Sequence, residues 1–413
     1  MEKEIYIDNI KETSLIISES KVDSVKMKDI TKKGVRVYDN GLIGVSGAVG
    51  DINIDELIEN AKLNLDNKIE YPCELTKDID LSLDASKKIV DDKDFVKEGE
   101  ELLDELSKVN SDFIFSNKII LQERKTSLTN SKNLKLEYKD RALEAGIVFK
   151  EKASANIMDG YVEYTGRDYN RKDFIEFSNI ILEGYRNKAE LPRQGKMPVA
   201  VSFNGEGAVF INKFLTDLNA RQFMCGGSIF SDKIGKKVFS DDFTLRQTRN
   251  PKDVYLEPFF DMEGTVNSNH IFTLIENGVI KTPYTDKQTA AEYNLKNTGS
   301  AAAEYDGVPQ IGVPSLSIKQ SEKTVKELFS GDMGIFVYIT SGGDFTSSGE
   351  FGAPVQLAFL YDGEKILGRL PQLQISSDIY KMFNENYRGV ASNSIFKGNS
   401  DKILVMDMDV KLI

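Results

Sequence analysis

The chain has 413 residues, too many for one small module, and its 40% hydrophobic and 29% charged content is an ordinary globular balance. Fifty-three Lys and Arg stand against 65 Asp and Glu, a net charge of −12, and basic runs stop at pairs such as Lys32-Lys33, so direct nucleic-acid binding lacks the basic face it needs. One His, two Cys and no Trp exclude a His₃ or His₂Glu zinc centre and a CxxC…CxxC cluster within this chain.

The opening MEKEIYIDNIKETSLIISESK mixes both charge signs without an apolar core, which is not the pattern of a secretory signal. No run approaches the ~20 apolar residues that cross a bilayer. Cys73 and Cys225 do not make a disulfide framework. The expectation is a cytoplasmic, reduced protein without membrane contact.

Strands are predicted over Lys21–Gly50, where Asp39-Asn40-Gly41 separates two β-rich runs as a hairpin turn. A helix follows, capped by Asn53 with Glu56 three residues on, its stripe formed by Ile54, Leu57, Ile58, Ala61 and Leu65. A second helix is predicted over Asp94–Val109, with Phe95, Leu102, Leu103, Leu106 and Val109 inward. Several strands follow between Phe113 and Phe149 (Ile119–Leu121, Leu134–Tyr138 and Ala145–Phe149). A third helix, Arg171–Lys188, presents Phe174, Phe177, Ile180, Ile181 and Tyr185 on one side. Leu191–Pro198, with two prolines and a glycine, reads as a linker and places the boundary between domains 1–192 and 193–413. The second half opens with a strand, Val199–Phe203, and a helix over Glu206–Gln222. From Phe259 onward strands dominate, with turns at Asn277-Gly278 and Asp362-Gly363, and Ile403–Ile413 alternates apolar residues with Asp407, Asp409 and Lys411. Both halves read as α+β.

No GxxxxGK[ST] loop is present, and Gly205-Glu206-Gly207 lacks the third glycine of a dinucleotide fingerprint. Ser341-Gly342-Gly343-Asp344-Phe345 has the glycines and aspartate of a cyclic-dinucleotide synthase loop but not its glutamate. It reads as a glycine-bearing loop between strands, whose backbone can approach a bound peptide or a partner chain. Asp261 and Glu263 share a face if extended and have His270 nearby in sequence; a solvated strand end turning at Gly264 accounts for them more simply than a metal site. Cys225 precedes two glycines and, like Cys73, pairs in principle with His270 as a nucleophile, although a free Cys is more often a small buried hydrophobe.

The stretch FFDMEGTVNSNHIFTLIENGVIKTPYTDKQTAAEYNLKNTGSAAAEYDGVP, from Phe259, resembles the C-terminal core of the TldD/PmbA family. The matching elements are D-x-E-G at Asp261–Gly264, I-E-N-G-V at Ile275–Val279, T-A at Thr289-Ala290 and T-G at Thr298-Gly299. The segment IFVYITSGGDFTSSGEFGAPVQLAFLYDG, from Ile335, is similar to the family's glycine-rich segment and following hairpin. Near the start, KKGVRVYDNGLIGVSGAVGDINIDELIENA is similar to its G-V-x-V-x-x-x-G-x-x-G-x-S pattern and the helix after it.

The resemblance implies a system of two subunits, from a family also named for modulation of DNA gyrase. One subunit carries HExxxH and a downstream Cys around zinc, as a metallopeptidase; the other, TldE or PmbA, lacks them and pairs with the first. On this alignment the motif positions are Asn212, Lys213 and Asp217, and the Cys position is Ala391 or Ser392, so all three ligands and the base are missing. The implied protein is a TldE/PmbA-like, catalytically silent subunit with no cofactor of its own. It would pair with a zinc-bearing, TldD-like partner, or with itself, and help admit unfolded peptides through exposed strand edges and the Ser341–Phe345 loop. The alternatives are a stand-alone homodimeric binding scaffold and an enzyme with chemistry relocated to Asp261, Glu263, His270 or Cys225.

Overall fold

The computed structural model of the chain describes residues 1–395 and 401–413. The first half comprises β1 (Glu2–Ser18), β2 (Lys21–Asp39), β3 (Leu42–Val49), α1 (Ile54–Leu63), β4 (Ile69–Glu70), β5 (Ile79–Asp84), α2 (Phe95–Val109), β6 (Phe113–Asn130), β7 (Leu134–Glu151), β8 (Gly160–Gly166) and α3 (Arg171–Arg186). Its strands form one sheet in the order β4-β3-β2-β1-β6-β7-β5, with β8 on the other stretch of β7. The Asn40-Gly41 turn joins β2 to β3 with both residues at positive φ, as a two-residue hairpin of this composition requires.

Several local expectations change. The short strands expected between Phe113 and Phe149 are two 18-residue strands, β6 and β7, paired along their whole length. The mixed-charge opening is itself a 17-residue strand, β1. Asn53 caps α1 by accepting from Asp55 N–H at 3.0 Å rather than closing a box with Glu56. Val109 and Ile180, expected inward, are 64% and 36% exposed, because each lies at the margin of its helix's buried stripe.

The second half comprises β9 (Gly195–Ser202), α4 (Ala208–Asp217), α5 (Ala220–Met224), β10 (Leu245–Thr248), β11 (Ile271–Glu276), β12 (Val279–Ile280), α6 (Lys287–Glu292), β13 (Ala301–Ala302), β14 (Gln310–Ile311), β15 (Leu316–Ile318), α7 (Val325–Phe329), β16 (Gly334–Thr340), β17 (Asp344–Phe345), β18 (Glu350–Tyr361), β19 (Ile366–Arg369), β20 (Leu373–Asp378), α8 (Ile379–Phe383), β21 (Tyr387–Val390) and β22 (Ile403–Leu412). Strands β16-β9-β22-β20-β18 follow one another, and β18 pairs back onto β16, so the five close into a ring. A four-stranded sheet, β12-β11-β10-β15, lies beside it. Gly195–Pro198, read from sequence as linker, is the first half of β9 and pairs with β22. The single helix expected over Glu206–Gln222 is two: Asn219 has an extended backbone and caps α5 by accepting from Arg221 N–H, which breaks the run at Leu218.

The ring is apolar on both faces. Val199, Val201, Ile335, Val337, Leu404 and Met406 share one core with Phe210 and Phe214 of α4 and Phe383 of α8. Their neighbours Ala200, Phe336, Tyr338, Ile403 and Val405 belong to a second core with Phe95 and Leu102 of α2 and Phe177 and Ile181 of α3. Period-two alternation therefore serves two cores rather than one core and solvent. Asp407 lies on β22 among these residues and bonds Arg388 Nε at 2.8 Å. The architecture is α+β in two domains, strand-rich toward the C-terminus, as the sequence pattern predicts.

Candidate functional site

Helix α4 follows directly from β9 through the Asn204–Gly207 turn. The turn is tight: Gly207 N–H donates to Ser202 O at 2.8 Å, and a Cβ on Gly207 would stand 2.7 Å from that same oxygen. Phe210, Ile211 and Phe214 bury one stripe of α4, which fixes where the remaining residues point. Lys213 and Asp217, one turn apart, form an ion pair at 3.0 Å with side chains only 13% and 4% exposed. Asp217 Oδ1 also accepts from Ile229 N–H at 3.1 Å. The Lys213 ammonium lies 5.9 Å from the Phe345 ring centre, and Phe210 meets Phe345 edge-on at 6.2 Å. The Ser341–Phe345 loop is thus brought, through Phe345, against Lys213, one of the three motif positions.

Asn212 is not part of that contact. It lies five positions before Asp217, about 140° around a helix, and lines a groove of about 330 Å³ on the other side of α4. These residues do not fit a zinc ion: the ammonium of Lys213 occupies Asp217, and Asn212 turns away from both. Ala391 is fully buried, its carbonyl accepting from Gln320 Nε2 at 2.6 Å, while Ser392 is exposed with its N–H donating to Lys323 O at 2.7 Å. Among the described residues, no three His, Cys, Asp or Glu side chains gather as a metal-ligand set.

Ser341, Gly342, Gly343 and Asp344 are exposed. Gly342 and Gly343 adopt positive φ, and a Cβ on Gly343 would stand 2.5 Å from Ala353 Cβ, so close approach to β18 requires glycine there.

Asp261 and Glu263 are not a solvated strand end: they are 2% and 3% exposed. Asp261 accepts from the N–H groups of Glu263, Thr265 and Ala301 at 2.8–3.0 Å, holding a loop rather than a metal. Glu263 accepts from Tyr71 O–H and, at 2.9 Å, from Lys287 N–H, tying the first half of the chain to the second. Burial, then the Asp261 carboxylate, raises its pKa well above the usual range. His270 packs at 5.2 Å on Phe259 and hydrogen-bonds neither carboxylate. Cys225 is exposed rather than a buried hydrophobe, and its thiol donates to Gln222 O at 3.4 Å. No hydrogen bond joins it or Cys73 to His270 among the described residues.

The groove itself escaped sequence reading. One wall is α4, with Ile211, Asn212 and Leu215; the other is Val313–Ser317, which leads into β15. Through Asn204, Asp253, Val254 and Ser315 it runs into a second hollow of about 390 Å³ lined by Glu163, Glu257 and Asp401. Asp253 pairs with Lys402 at 2.9 Å, and Glu257 with Arg249 at 2.8 Å. Asp401 accepts from Ser202 Oγ and from the N–H groups of Asn204 and Lys402. Burial first, then Asp401, Glu144 and Glu206, push the Glu163 carboxyl up to about 7.

Residues 194–411 match the PmbA/TldA metallopeptidase C-terminal domain. An uncharacterized protein of Methanocaldococcus jannaschii is 25% identical over 328 residues, covering 72% of this chain and 73% of that protein. A zinc metalloprotease TldD homolog of Saccharolobus solfataricus is 25% identical over 203 residues, 48% of this chain and 44% of its own length. In fold, the chain is similar to the crystal structure of TldE from Thermococcus kodakarensis, with a TM-score of 0.81 and 16% identity over 99% of this chain and 96% of that one. More than half of the sequence carries the family's domain, so the chain belongs to the PmbA/TldD family of metallopeptidase-related proteins.

Proposed function

We propose that this chain is a TldE/PmbA-like subunit of a cytoplasmic metallopeptidase system, catalytically silent by itself. It pairs with a zinc-bearing, HExxxH-containing partner and helps admit unfolded peptides. The observation that carries this reading is the Lys213–Asp217 ion pair. Where hydrolysis of a peptide needs a general base beside the metal, this chain holds a cation, and that cation neutralises the one residue of the three positions able to ligate zinc. The family's C-terminal domain and the fold likeness to TldE support the same reading. Residues 1–192 and 193–413 are its two domains, and the exposed Ser341–Phe345 loop, resting on Lys213, presents backbone to peptide or partner.

The test is purification of the full chain from its native cell and again alone. The native preparation is expected to contain a HExxxH-bearing chain with zinc, and the isolated chain to bind no stoichiometric zinc and leave casein intact. Tight zinc with hydrolysis by the isolated chain overturns the silent role; a homodimer with no such partner replaces it with a stand-alone scaffold.

A further inference from the structure

The large sheet of the first half leaves part of β2 without a neighbour. The strand has 19 residues, but β3 pairs only with residues 32–39 of it. Beyond that ladder Gly50 N–H donates to Thr31 O at 2.8 Å, so the Thr31 carbonyl faces the β3 side. Alternation turns the N–H and C=O groups of Val25, Met27 and Asp29 the same way, where no strand lies among the described residues. The edge is bare as well as unpaired: every residue from 23 to 29 is exposed. A bulge opposite Ile16 and Ile17 interrupts the strand at its other end, which leaves residues 24–30 as the regular stretch. Its two faces differ. Met27 is 79% and Val25 43% exposed, and with Thr13, Leu121 and Val96 they line a hollow of about 500 Å³ beside α2. On the opposite face the register sets Lys26 beside Ser14, Lys28 beside Glu12 and, on β6, Lys118 beside Ile16. Glu12 pairs with Lys28 at 2.5 Å, so one carboxylate stands among three lysines.

A row of free main-chain groups accepts an added strand, and the side chains on its two faces decide which strand fits. A second copy of this chain does not fit. Twofold symmetry keeps each face of the sheet on its own side, so the axis must pass through a residue. Centred on Lys26 or Lys28, it sets that lysine against itself; centred on Met27, it sets Lys26 against Lys28 twice. Like charges directly opposite are destabilising. Centres farther along run into the bulge or into β3.

We propose that residues 24–30 of β2 are the docking edge for a strand of a different protein chain, one that lays apolar residues against Val25 and Met27 and alternates them with acidic residues facing Lys26 and Lys28. The assignment goes beyond the subunit reading and does not depend on it: it fixes the pattern a partner must carry, not what that partner catalyses. The exposed Met27 is the feature that a merely protected edge lacks, because lysines alone suffice to keep an edge from pairing.

The experiment titrates the full-length chain, at low salt, with two short end-blocked peptides. Both carry valine or threonine at every other position; the residues between are glutamate in one and lysine in the other. The glutamate peptide is expected to bind about tenfold tighter, as two cross-strand pairs changed from repulsion to attraction provide, and to slow amide hydrogen exchange at Val25, Met27 and Asp29. Met27→Pro removes an outward N–H and no bond to β1, so circular dichroism should show a folded chain that has lost the glutamate peptide. Lys26→Glu, a change at an exposed position, should shift the preference toward the lysine peptide and tests the same edge should the proline variant fail to fold. Equal affinity for the two peptides, no binding of either, protection elsewhere in the chain, or a preference that survives Lys26→Glu overturns the proposal. So does a dimer of the chain alone that protects the same three amides, because the second copy would then be the occupant.

Discussion

Lys213, which the proposed reading sets at the motif's glutamate position, has surroundings that make it a structural residue. With the ammonium removed, Asp217 would remain 4% exposed with only the Ile229 N–H as a close donor. Breaking a buried pair from one side leaves a charge with no compensation and typically costs about 3–5 kcal/mol. Lys213 is slightly open to solvent, which favours the lower end. Lys213→Ala should therefore destabilise the chain by about 3 kcal/mol in urea unfolding, and Lys213→Glu, which sets two carboxylates one turn apart, by more. A change below about 0.5 kcal/mol for both would mean that the pair is solvated and that α4 has no electrostatic tie to retain. The resemblance draws attention to this residue, but neither the pairing across one helical turn nor the burial that makes the pairing matter can be read from the sequence. Glu163 was less legible still. Nothing in its local sequence singles it out, and only the tertiary fold sets it among Glu144, Glu206 and Asp401.

At the level of elements, the glycines of the N-terminal pattern each have a separate physical reason. Gly41 holds the hairpin at φ 76. Gly34 faces the Tyr305 backbone, where a Cβ would stand 1.7 Å from the carbonyl oxygen, and Gly44 lies under α1, where a Cβ would stand 2.0 Å from Ala61 O. The pattern in sequence thus encodes one turn and two close packings, and only the turn was readable without the fold, because Asn-Gly is a local signal, while the other two depend on how α1 docks on β3 and on Tyr305 far along the chain. Gly44→Ala must push α1 off β3, since the atoms it meets are backbone and cannot rotate aside. We expect a loss of about 1–3 kcal/mol, the range of overpacked cores. Gly50→Ala, at a position with open space but φ 99, should show only its backbone cost, about 1 kcal/mol. Equal melting shifts for the two would indicate that α1 sits loosely on the sheet. Helix and strand boundaries failed for related reasons: the stripe of α4 continues in phase through Leu218, and only the Asn219 cap divides it from α5.

Across the whole molecule, one core crosses the chain's midpoint. Phe336, Tyr338, Phe359 and Tyr361 of the ring are almost fully buried, in a cluster with α2, α3 and the large sheet. Tyr161 of β8 stacks on Tyr338 at 5.3 Å, and the Tyr338 hydroxyl donates to the Tyr161 carbonyl at 2.6 Å. The buried Arg36 of β2 reaches the Gly307 and Met262 carbonyls of the second half, and Tyr71 reaches Glu263. Stripping the cover from four aromatic side chains exposes roughly 200 Å² each. At ~25 cal/mol per Å² that is on the order of 20 kcal/mol as an upper figure, more than the ~5–15 kcal/mol by which a domain is usually stable. Residues 193–413 produced alone should therefore bind a hydrophobic dye and aggregate, and the full chain should unfold in a single transition seen equally by near- and far-ultraviolet circular dichroism. A soluble fragment with native near-ultraviolet dichroism and the melting temperature of the full chain would show instead that the ring is stable alone and that the shared core only docks one half onto the other. The distinction bears on any assembly, because a chain whose halves fold as one unit must hold its strand edges and its Ser341–Phe345 loop in one fixed arrangement.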